Sequence, residues 1–209
     1  MEIDIQKSIQ FAYLCGVLHS DGCVYFFREK PRITISVSKK SLPMLNKFQN
    51  LFNEYFSKNS HYRSSHMGSR FVFQPSIVKI WPCLKKSYLD VPPNLNQIEV
   101  FSAYLGGIID GDGHIKIKRN NDRKIPQCLI RISAEKKLEK LANYIELHFN
   151  CKVHYYHDKR SKCVETCFYI SSKNYFSVKK HLLKNIDMGY KRERLSKHII
   201  VLQENGPTR

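Results

Sequence analysis

The sequence lacks a hydrophobic run long enough to cross a membrane. The longest early apolar run, Phe11–Leu18, is far shorter than the roughly 20 residues that a membrane-spanning helix needs. It also follows acidic residues, whereas a secretory signal begins with basic ones. We therefore expect no membrane partner, no secretory leader and an intracellular protein.

Acidic residues are scarce relative to basic ones. The 209 residues include 18 Asp and Glu against 35 Lys and Arg, a formal net charge of +17. The excess is spread along the chain instead of being gathered in a terminal arm. Such a charge is typical of nucleic-acid-binding proteins. A merely solvated basic surface and attraction to anionic lipid are the alternatives.

Paired cysteines are not indicated, because the chain has 7 cysteines, an odd number, scattered along its length. We therefore expect a reducing compartment. Alanine is also rare, whereas lysine and asparagine are frequent. A+T-rich codons produce this bias, which indicates an organellar genome, of a mitochondrion or chloroplast, or one similarly rich in A+T.

One segment occurs twice, as AYLCGVLHSDG over 12–22 and as AYLGGIIDGDG over 103–113. The spacing of apolar residues repeats as well, so each half is predicted to be an αββαββα unit and the fold to be α+β with antiparallel sheets. The prolines in 90–96 indicate a linker. We expect two repeats, at 1–95 and 96–209, related by a pseudo-two-fold axis.

The predicted elements of the first half are a helix over 5–20, strands over 23–27 and 32–38, a helix over 41–56 with Ser41 as N-cap and Pro43 in its first turn, a hairpin over 61–74 and a helix over 75–88. Those of the second half are a helix over 97–111, strands over 114–118 and 127–133, a helix over 136–149, a hairpin over 151–170, and helices over 173–185 and 192–204.

Small residues recur at matched positions of the two repeated helices. Gly16 and Ser20 lie four residues apart in the first, and Gly107 and Gly111 lie four apart in the second. A glycine inside a helix costs about 1 kcal/mol relative to alanine, so a close backbone approach between the helices is expected to offset that cost. The alternative is that each helix packs only against its own sheet.

Each repeated helix ends in Asp-Gly, at Asp21 and at Asp112. Packed side by side with level ends, the helices would bring two carboxylates together, each at the negative end of a helix dipole. A divalent cation with oxygen ligands, Mg²⁺ above all, relieves both penalties, and paired metals can promote phosphodiester hydrolysis by water. Taken alone, each Asp-Gly would be a helix-terminating turn.

These residues resemble the LAGLIDADG homing endonucleases in their single-chain, two-repeat form, with the nine-residue motif at Leu14–Gly22 and Leu105–Gly113. The resemblance implies that Asp21 and Asp112 are catalytic metal ligands, with backbone ligands from Ser20 and Gly111. It also implies a monomer whose two sheets form a saddle on double-stranded DNA and a double-strand cut that leaves 3′ overhangs. The protein would be encoded within a mobile intron.

The sixth motif position departs from the pattern, because Asp110 of the second repeat is matched by His19 in the first. That acid is not the metal ligand of the family, so His19 is interpreted as structural. The resemblance also places basic residues around the metals. Lys39, with Lys40 beside it, and Lys191 are the residues at those positions.

Polar residues on one side of the predicted strands are the candidates for contacts in the DNA major groove. They are Tyr25, Arg28, Arg32, Thr34, Ser36, Ser38, Lys40, Arg63, Arg70, Gln74, His114, Lys116, Lys118, Gln127, Arg131, Ser133, His154, Tyr156, Lys159 and Arg160. On the predicted strand over 32–38, Ile33, Ile35 and Val37 alternate with the polar residues and would face the core. The sets differ between the halves, which predicts an asymmetric target.

One other metal site is considered, and two alternative functions stay open. His154, His157, Cys163 and Cys167 superficially suggest zinc, but their spacing matches no common finger, and no zinc is expected. A group I intron maturase that binds its own intron RNA would use the same basic surfaces. A catalytically silent DNA-binding protein would bind a specific duplex without nicking it.

Overall fold

A computed structural model describes residues 5–27, 30–65, 68–73, 94–119, 125–158 and 162–205, with backbone only at 24–27, 30–33, 65, 71–73 and 158. The chain divides into two compact units, Met1–Gly111 and Asp112–Arg209. The predicted repeat boundary at 95/96 is a feature of the sequence and stays a prediction. The unit boundary lies later because the second motif helix packs along the first.

The first unit has one antiparallel sheet and its helices. Its elements are α1 (Ile5–Asp21), β1 (Gly22–Phe27), β2 (Lys30–Val37), α2 (Leu42–Phe56), β3 (Arg63–Ser65), β4 (Gly68–Phe73) and α3 (Ile98–Asp110). The strand order is β1-β2-β4-β3. Leu14, Val17, Phe48, Phe101 and Leu105 are among its fully buried side chains.

The second unit repeats the same sheet. Its elements are β5 (Gly113–Lys118), β6 (Gln127–Ala134), α4 (Glu139–Phe149), β7 (Val153–Asp158), β8 (Cys163–Ile170), a helical segment α5 made of Tyr175–Ser177, a π turn at Val178–Leu182 and a 3₁₀ turn at Leu183–Asn185, and α6 (Gly189–Asn205). The strand order is β5-β6-β8-β7. Ile130, Leu141, Ile145, Phe168 and Leu195 lie in its core.

The predicted α+β class with antiparallel sheets is confirmed, and most boundaries lie within three residues of those expected. The predicted helix over 75–88 lies outside the described residues. Helix α4 begins at Glu139 instead of Lys136, because an acidic side chain suits the positive start of a helix and Lys136 and Lys137 do not. Ser41 is the N-cap of α2 but makes no side-chain capping bond, since a 3₁₀ turn at Lys39–Ser41 leads directly into the helix. Over the ranges described here, no helix is long and apolar enough to span a membrane.

Candidate active site

Helices α1 and α3 run side by side within the first unit and touch through their glycines. A Cβ placed on Gly16 would overlap the carbonyl oxygen of Tyr104, and one on Gly107 would lie 2.5 Å from the carbonyl oxygen of Tyr13. Neither position can accept a side chain without moving a backbone. The glycines therefore allow two helices to approach more closely than side chains permit.

The ends of the two helices also meet. A Cβ on Gly111 would lie 2.7 Å from Cβ of Ser20 and 3.1 Å from Oδ2 of Asp21. The Ser20 hydroxyl turns back onto its own helix, where it donates to the carbonyl oxygens of Gly16 and Val17 at 3.0 and 3.2 Å. The half-buried Asp21 carboxylate thus lies beside the backbone of Gly111, the residue that directly precedes Asp112 in the chain.

Polar side chains join the same two helices near their crossing. The Tyr13 hydroxyl donates a 2.8 Å hydrogen bond to Oδ2 of Asp110, which is 1 % exposed. Nδ1 of His19 and the Tyr104 hydroxyl form a second bond, also of 2.8 Å. The sixth motif position of each repeat therefore pairs with the tyrosine of the other repeat, which agrees with a structural role for His19.

Asp112 opens the second unit, and its carboxyl has an unusual environment. Its side chain is reached by solvent, yet the neighbouring protein removes enough of its hydration to raise its pKa, while the positive charge of Lys191 lowers the pKa in part. A carboxylate in such a setting gains more than an ordinary surface one from a bound cation. Asp112 is therefore suited to hold a metal.

Lys191 is in the first turn of α6 and only 3 % exposed. Its ammonium group lies 5.8 Å from the centre of the Tyr190 ring, and its charge acts on both Asp112 and His114. A buried lysine is costly unless a negative group compensates it. The predicted basic residue before the last helix thus lies where it can act on the candidate metal ligand.

Further cations surround the start of β5. Partial burial lowers the pKa of His114, and the charges of Arg131, Arg194, Lys116 and Lys191 lower it further. Arg194 donates from a guanidinium nitrogen to the carbonyl oxygen of Ile115 at 3.2 Å, which ties α6 to β5. The arrangement concentrates positive charge beside Asp112, as an anionic substrate requires.

In the first unit, Lys39 and Lys40 are exposed in the turn that follows β2. Their predicted roles, in charge stabilisation for Lys39 and in DNA binding for Lys40, stay predictions.

The first sheet carries an exposed groove of about 530 Å³, whose lining includes Ser36, Arg63 and Arg70. Nε of Arg70 donates to the Ser36 hydroxyl at 3.1 Å, and Arg63 lies directly opposite Arg70 in the strand register. Two facing arginines repel each other unless an anion lies between them. The groove candidates Ser36, Ser38, Arg63 and Arg70 are exposed together.

The prediction that Thr34 is available to contact DNA is wrong, because this residue is only 5 % exposed. Its hydroxyl points to the carbonyl oxygen of Cys23, 3.5 Å away. Strand β2 has neighbours on both sides, β1 and β4, which cover a short side chain. Four other candidates, Arg28, Gln74, Lys159 and Arg160, lie outside the described residues, and Tyr25 and Arg32 are described in their backbone alone.

The second sheet exposes His114, Lys116, Lys118, Ser133 and Tyr156, while Gln127, Arg131 and His154 are half-buried. Both carboxylate oxygens of Glu165 accept from Nη1 of Arg131 at 3.0 Å. Arg131 is therefore already paired with an acid. A contact with DNA through Nη1 would require that this ion pair be shared or broken.

The four residues that suggested zinc are divided by the strand pairing of β7 and β8. His154 lies opposite Cys167, but His157 lies opposite Val164 and thus on the other face of the hairpin. No group of three or more potential ligands among His, Cys, Asp and Glu occurs in the part of the chain that the structure covers.

Sequence reasoning missed several residues of this site. Tyr13 and Tyr104 stood at the same place in the repeated segment, which was an available signal. Glu165 and Arg194 carried none, because their partners lie far away in the sequence and depend on strand register and helix packing.

Two family models match the sequence of this chain. A family model described as LAGLIDADG endonuclease matches residues 105–200, and one described as LAGLIDADG-like domain matches residues 8–79. A comparison with curated proteins gives no match.

Solved structures share the fold at low sequence identity. The I-SmaMI LAGLIDADG homing endonuclease bound to cleaved DNA is 13 % identical with a TM-score of 0.57, over 94 % of this chain and 91 % of that one. I-SmaMI bound to an uncleaved DNA target with calcium ions gives the same identity and TM-score, over 94 % and 93 %. The N-terminal LAGLIDADG domain of DUF199/WhiA is 16 % identical with a TM-score of 0.55, over 84 % and 83 %. With both family models matched in sequence, this chain belongs to the LAGLIDADG family as a two-repeat member.

Proposed function

We propose that this protein is a homing endonuclease that cuts both strands of a long, asymmetric DNA target and leaves 3′ overhangs. The observation that carries the proposal is the contact of Asp21 with Gly111, the residue before Asp112, at the ends of two helices packed through glycines. Membership of an endonuclease family supports it, as do the I-SmaMI structures with cleaved and uncleaved DNA.

The polar faces of the two sheets are proposed to bind the duplex. The first offers Ser36, Arg63 and Arg70, and the second offers His114 and Lys116. Lysines suit phosphates, whereas arginine, glutamine and serine can also read base edges in the major groove. Because the two faces carry different side chains, the proposed target is asymmetric.

The carboxylates of Asp21 and Asp112, with the backbone carbonyl oxygens of Ser20 and Gly111, would hold divalent cations, Mg²⁺ in particular. These donors suit Mg²⁺, since all of them are hard oxygen atoms at helix ends, where the macrodipole is negative. A bound divalent cation supplies Lewis-acid stabilisation of the phosphate and a more acidic water.

The surrounding residues contribute charge. Lys191 favours the ionised form of Asp112, which is the form that binds a cation. With Arg194 and Lys116, Lys191 also provides positive charge that can offset the charge developing on a pentacoordinate phosphate. Asp21 would orient the water and phosphate from the first repeat.

The test uses Asp21→Asn and Asp112→Asn, with Glu193→Gln on the exposed face of α6 as a matched control. A target would first be selected as cleaved molecules from a randomised duplex library with Mg²⁺. We expect both Asn variants to lose cleavage by several orders of magnitude and to keep duplex affinity in Ca²⁺, while the control cuts normally. Undiminished cutting by both Asn variants would refute the assignment. Specific binding by the unmodified chain without any nicking would instead indicate a silent DNA-binding protein.

We also propose that the active form is a monomer in a reducing, intracellular and organellar compartment, encoded within a mobile intron. Both repeats reside in one chain, which supports the monomer. Free thiols at Cys15, Cys23, Cys128, Cys151, Cys163 and Cys167 are consistent with reducing conditions. Sedimentation of the chain alone and with its selected duplex would test the monomer.

A further inference from the structure

The glycine contact between α1 and α3 does not by itself set how far one helix is displaced along the other. Side chains that interlock fix how far one helix is displaced along another, but Gly16 and Gly107 meet backbone to backbone and have nothing to interlock. A displacement by one residue moves one helix end past the other by about 1.5 Å. Contacts elsewhere along the two helices therefore have to help fix the axial position.

The two tyrosine bonds lie at the correct places to do so. Tyr13 lies three residues before Gly16, and its partner Asp110 lies three after Gly107. In mirror fashion, His19 lies three residues after Gly16 and Tyr104 three before Gly107. Because the helices are parallel, each bond spans about six residues of rise, roughly 9 Å. The bonds cross the helix contact in opposite directions.

Opposed bonds resist displacement both ways. A movement of α3 by one residue toward its C-terminus would carry Asp110 away from Tyr13 and push Tyr104 into His19. The opposite movement would separate Tyr104 from His19. Either step lengthens one 2.8 Å bond by up to about 1.5 Å, which weakens or breaks it.

The environment strengthens the first of these bonds. Nζ of Lys47 lies 3.9 Å from the centre of the Tyr13 ring. A cation over the ring face attracts the ring electrons, so the hydroxyl becomes a better donor to Asp110, which is almost fully buried. The second bond is accompanied by an edge-to-face contact of the His19 and Tyr104 rings, 5.7 Å apart.

We infer that Tyr13 and Tyr104, through Asp110 and His19, are positioning residues that fix the axial alignment of the motif helices and so hold Asp21 beside Gly111. The inference rests on the proposed function insofar as those helix ends carry the metal site. His19 thus replaces the acid of the other repeat without loss of the bond, since an imidazole nitrogen serves equally well as partner for a tyrosine hydroxyl.

The test removes single hydroxyl groups with Tyr13→Phe and Tyr104→Phe, while Tyr144→Phe on α4 serves as a matched control. We expect each of the first two variants to lower kcat for the selected duplex by about 10- to 100-fold and to raise the Mg²⁺ concentration for half-maximal rate. Duplex affinity in Ca²⁺ should change less than about threefold. The control should match the unmodified protein. A fall in melting temperature with kcat and Mg²⁺ dependence unchanged would overturn the inference.

Variants of His19 complete the design. We expect His19→Asn, which keeps a polar partner for Tyr104, to retain most of kcat, and His19→Leu to lose as much as Tyr104→Phe. The double variant of His19→Leu with Tyr104→Phe should be no worse than either single one, because both remove the same bond. Additive losses would contradict the pairing. Melting temperatures of the same set test the bond even if the unmodified chain fails to cut DNA, which would count against the proposed function alone.

Discussion

The positive charge of Lys191 lowers the pKa of the Asp112 carboxyl, against the burial that raises it. The lysine is itself 3 % exposed, whereas the Asp112 side chain is reached by solvent, so solvent screens the interaction in part. This relationship joins the end of the second motif to the start of the last helix, two segments that are far apart in sequence. It places a buried positive charge where it acts on the carboxyl that we propose as a metal ligand.

Replacing this lysine by methionine should impair cleavage more than binding. We expect Lys191→Met to reduce kcat by about 10²- to 10³-fold, as removal of a preorganised charge does, with duplex affinity in Ca²⁺ reduced by only a few-fold. Single-turnover cleavage assays measure the first effect and fluorescence anisotropy the second. Lys197→Met, on the exposed side of α6, is the control. Unchanged cleavage by the Lys191 variant would remove it from the mechanism.

A methyl group at the helix contact should destabilise the protein. In an exposed helix Gly→Ala gains about 1 kcal/mol, but at Gly16 the new Cβ would overlap the Tyr104 carbonyl oxygen. We therefore expect Gly16→Ala to lower the free energy of unfolding by about 2–3 kcal/mol, measured by urea denaturation. Gly189→Ala meets no atom within 4 Å and should be neutral or slightly stabilising. Equal effects of the two changes would argue against the tight contact.

Releasing Arg131 from its acid should strengthen DNA binding. Glu165→Gln removes a negative charge from the second sheet and frees a guanidinium that now makes two 3.0 Å contacts to that carboxylate. We expect the duplex Kd to fall about three- to fivefold at low salt, with some loss of stability, and Arg131→Gln to raise the Kd. Anisotropy titrations at two salt concentrations would show this. If both variants weaken binding equally, the intact ion pair is what the DNA needs.

His198 should make stability depend on pH. Burial lowers its pKa below the ordinary value of 6.5, opposed in part by a 3.2 Å hydrogen bond with the carbonyl oxygen of Ile170. The unfolded chain therefore binds a proton at this histidine more readily than the folded protein does. The free energy of unfolding should be highest above about pH 6.5 and should fall as the pH drops toward the folded-state pKa.

The variant His198→Gln, whose amide can still donate to Ile170, should lose part of this pH dependence. Urea denaturation from pH 5 to 8 measures the difference between the variant and the unmodified protein. Parallel stability curves over that range would show that His198 does not contribute to it.

Periodicity and repetition were enough to predict most of the architecture. The alternation of apolar residues over 32–38 predicted a strand with one face in the core, and Ile35 is fully buried. The repeated small residues predicted that α1 and α3 meet, because a glycine in a helix needs a compensating contact. The polar face was less predictable, since Thr34 is covered by neighbouring strands and Arg131 is paired with Glu165.

The sequence by itself determined the two repeats, the acidic helix ends, the glycines between the helices and the basic character of the chain, because these depend on residue type and local spacing. Only the tertiary structure decided that Tyr13 reaches Asp110, that His19 pairs with Tyr104 and that Lys191 acts on Asp112. Each of these pairs joins residues far apart in the chain, and their distances are set by how helices and strands pack, which no local pattern encodes.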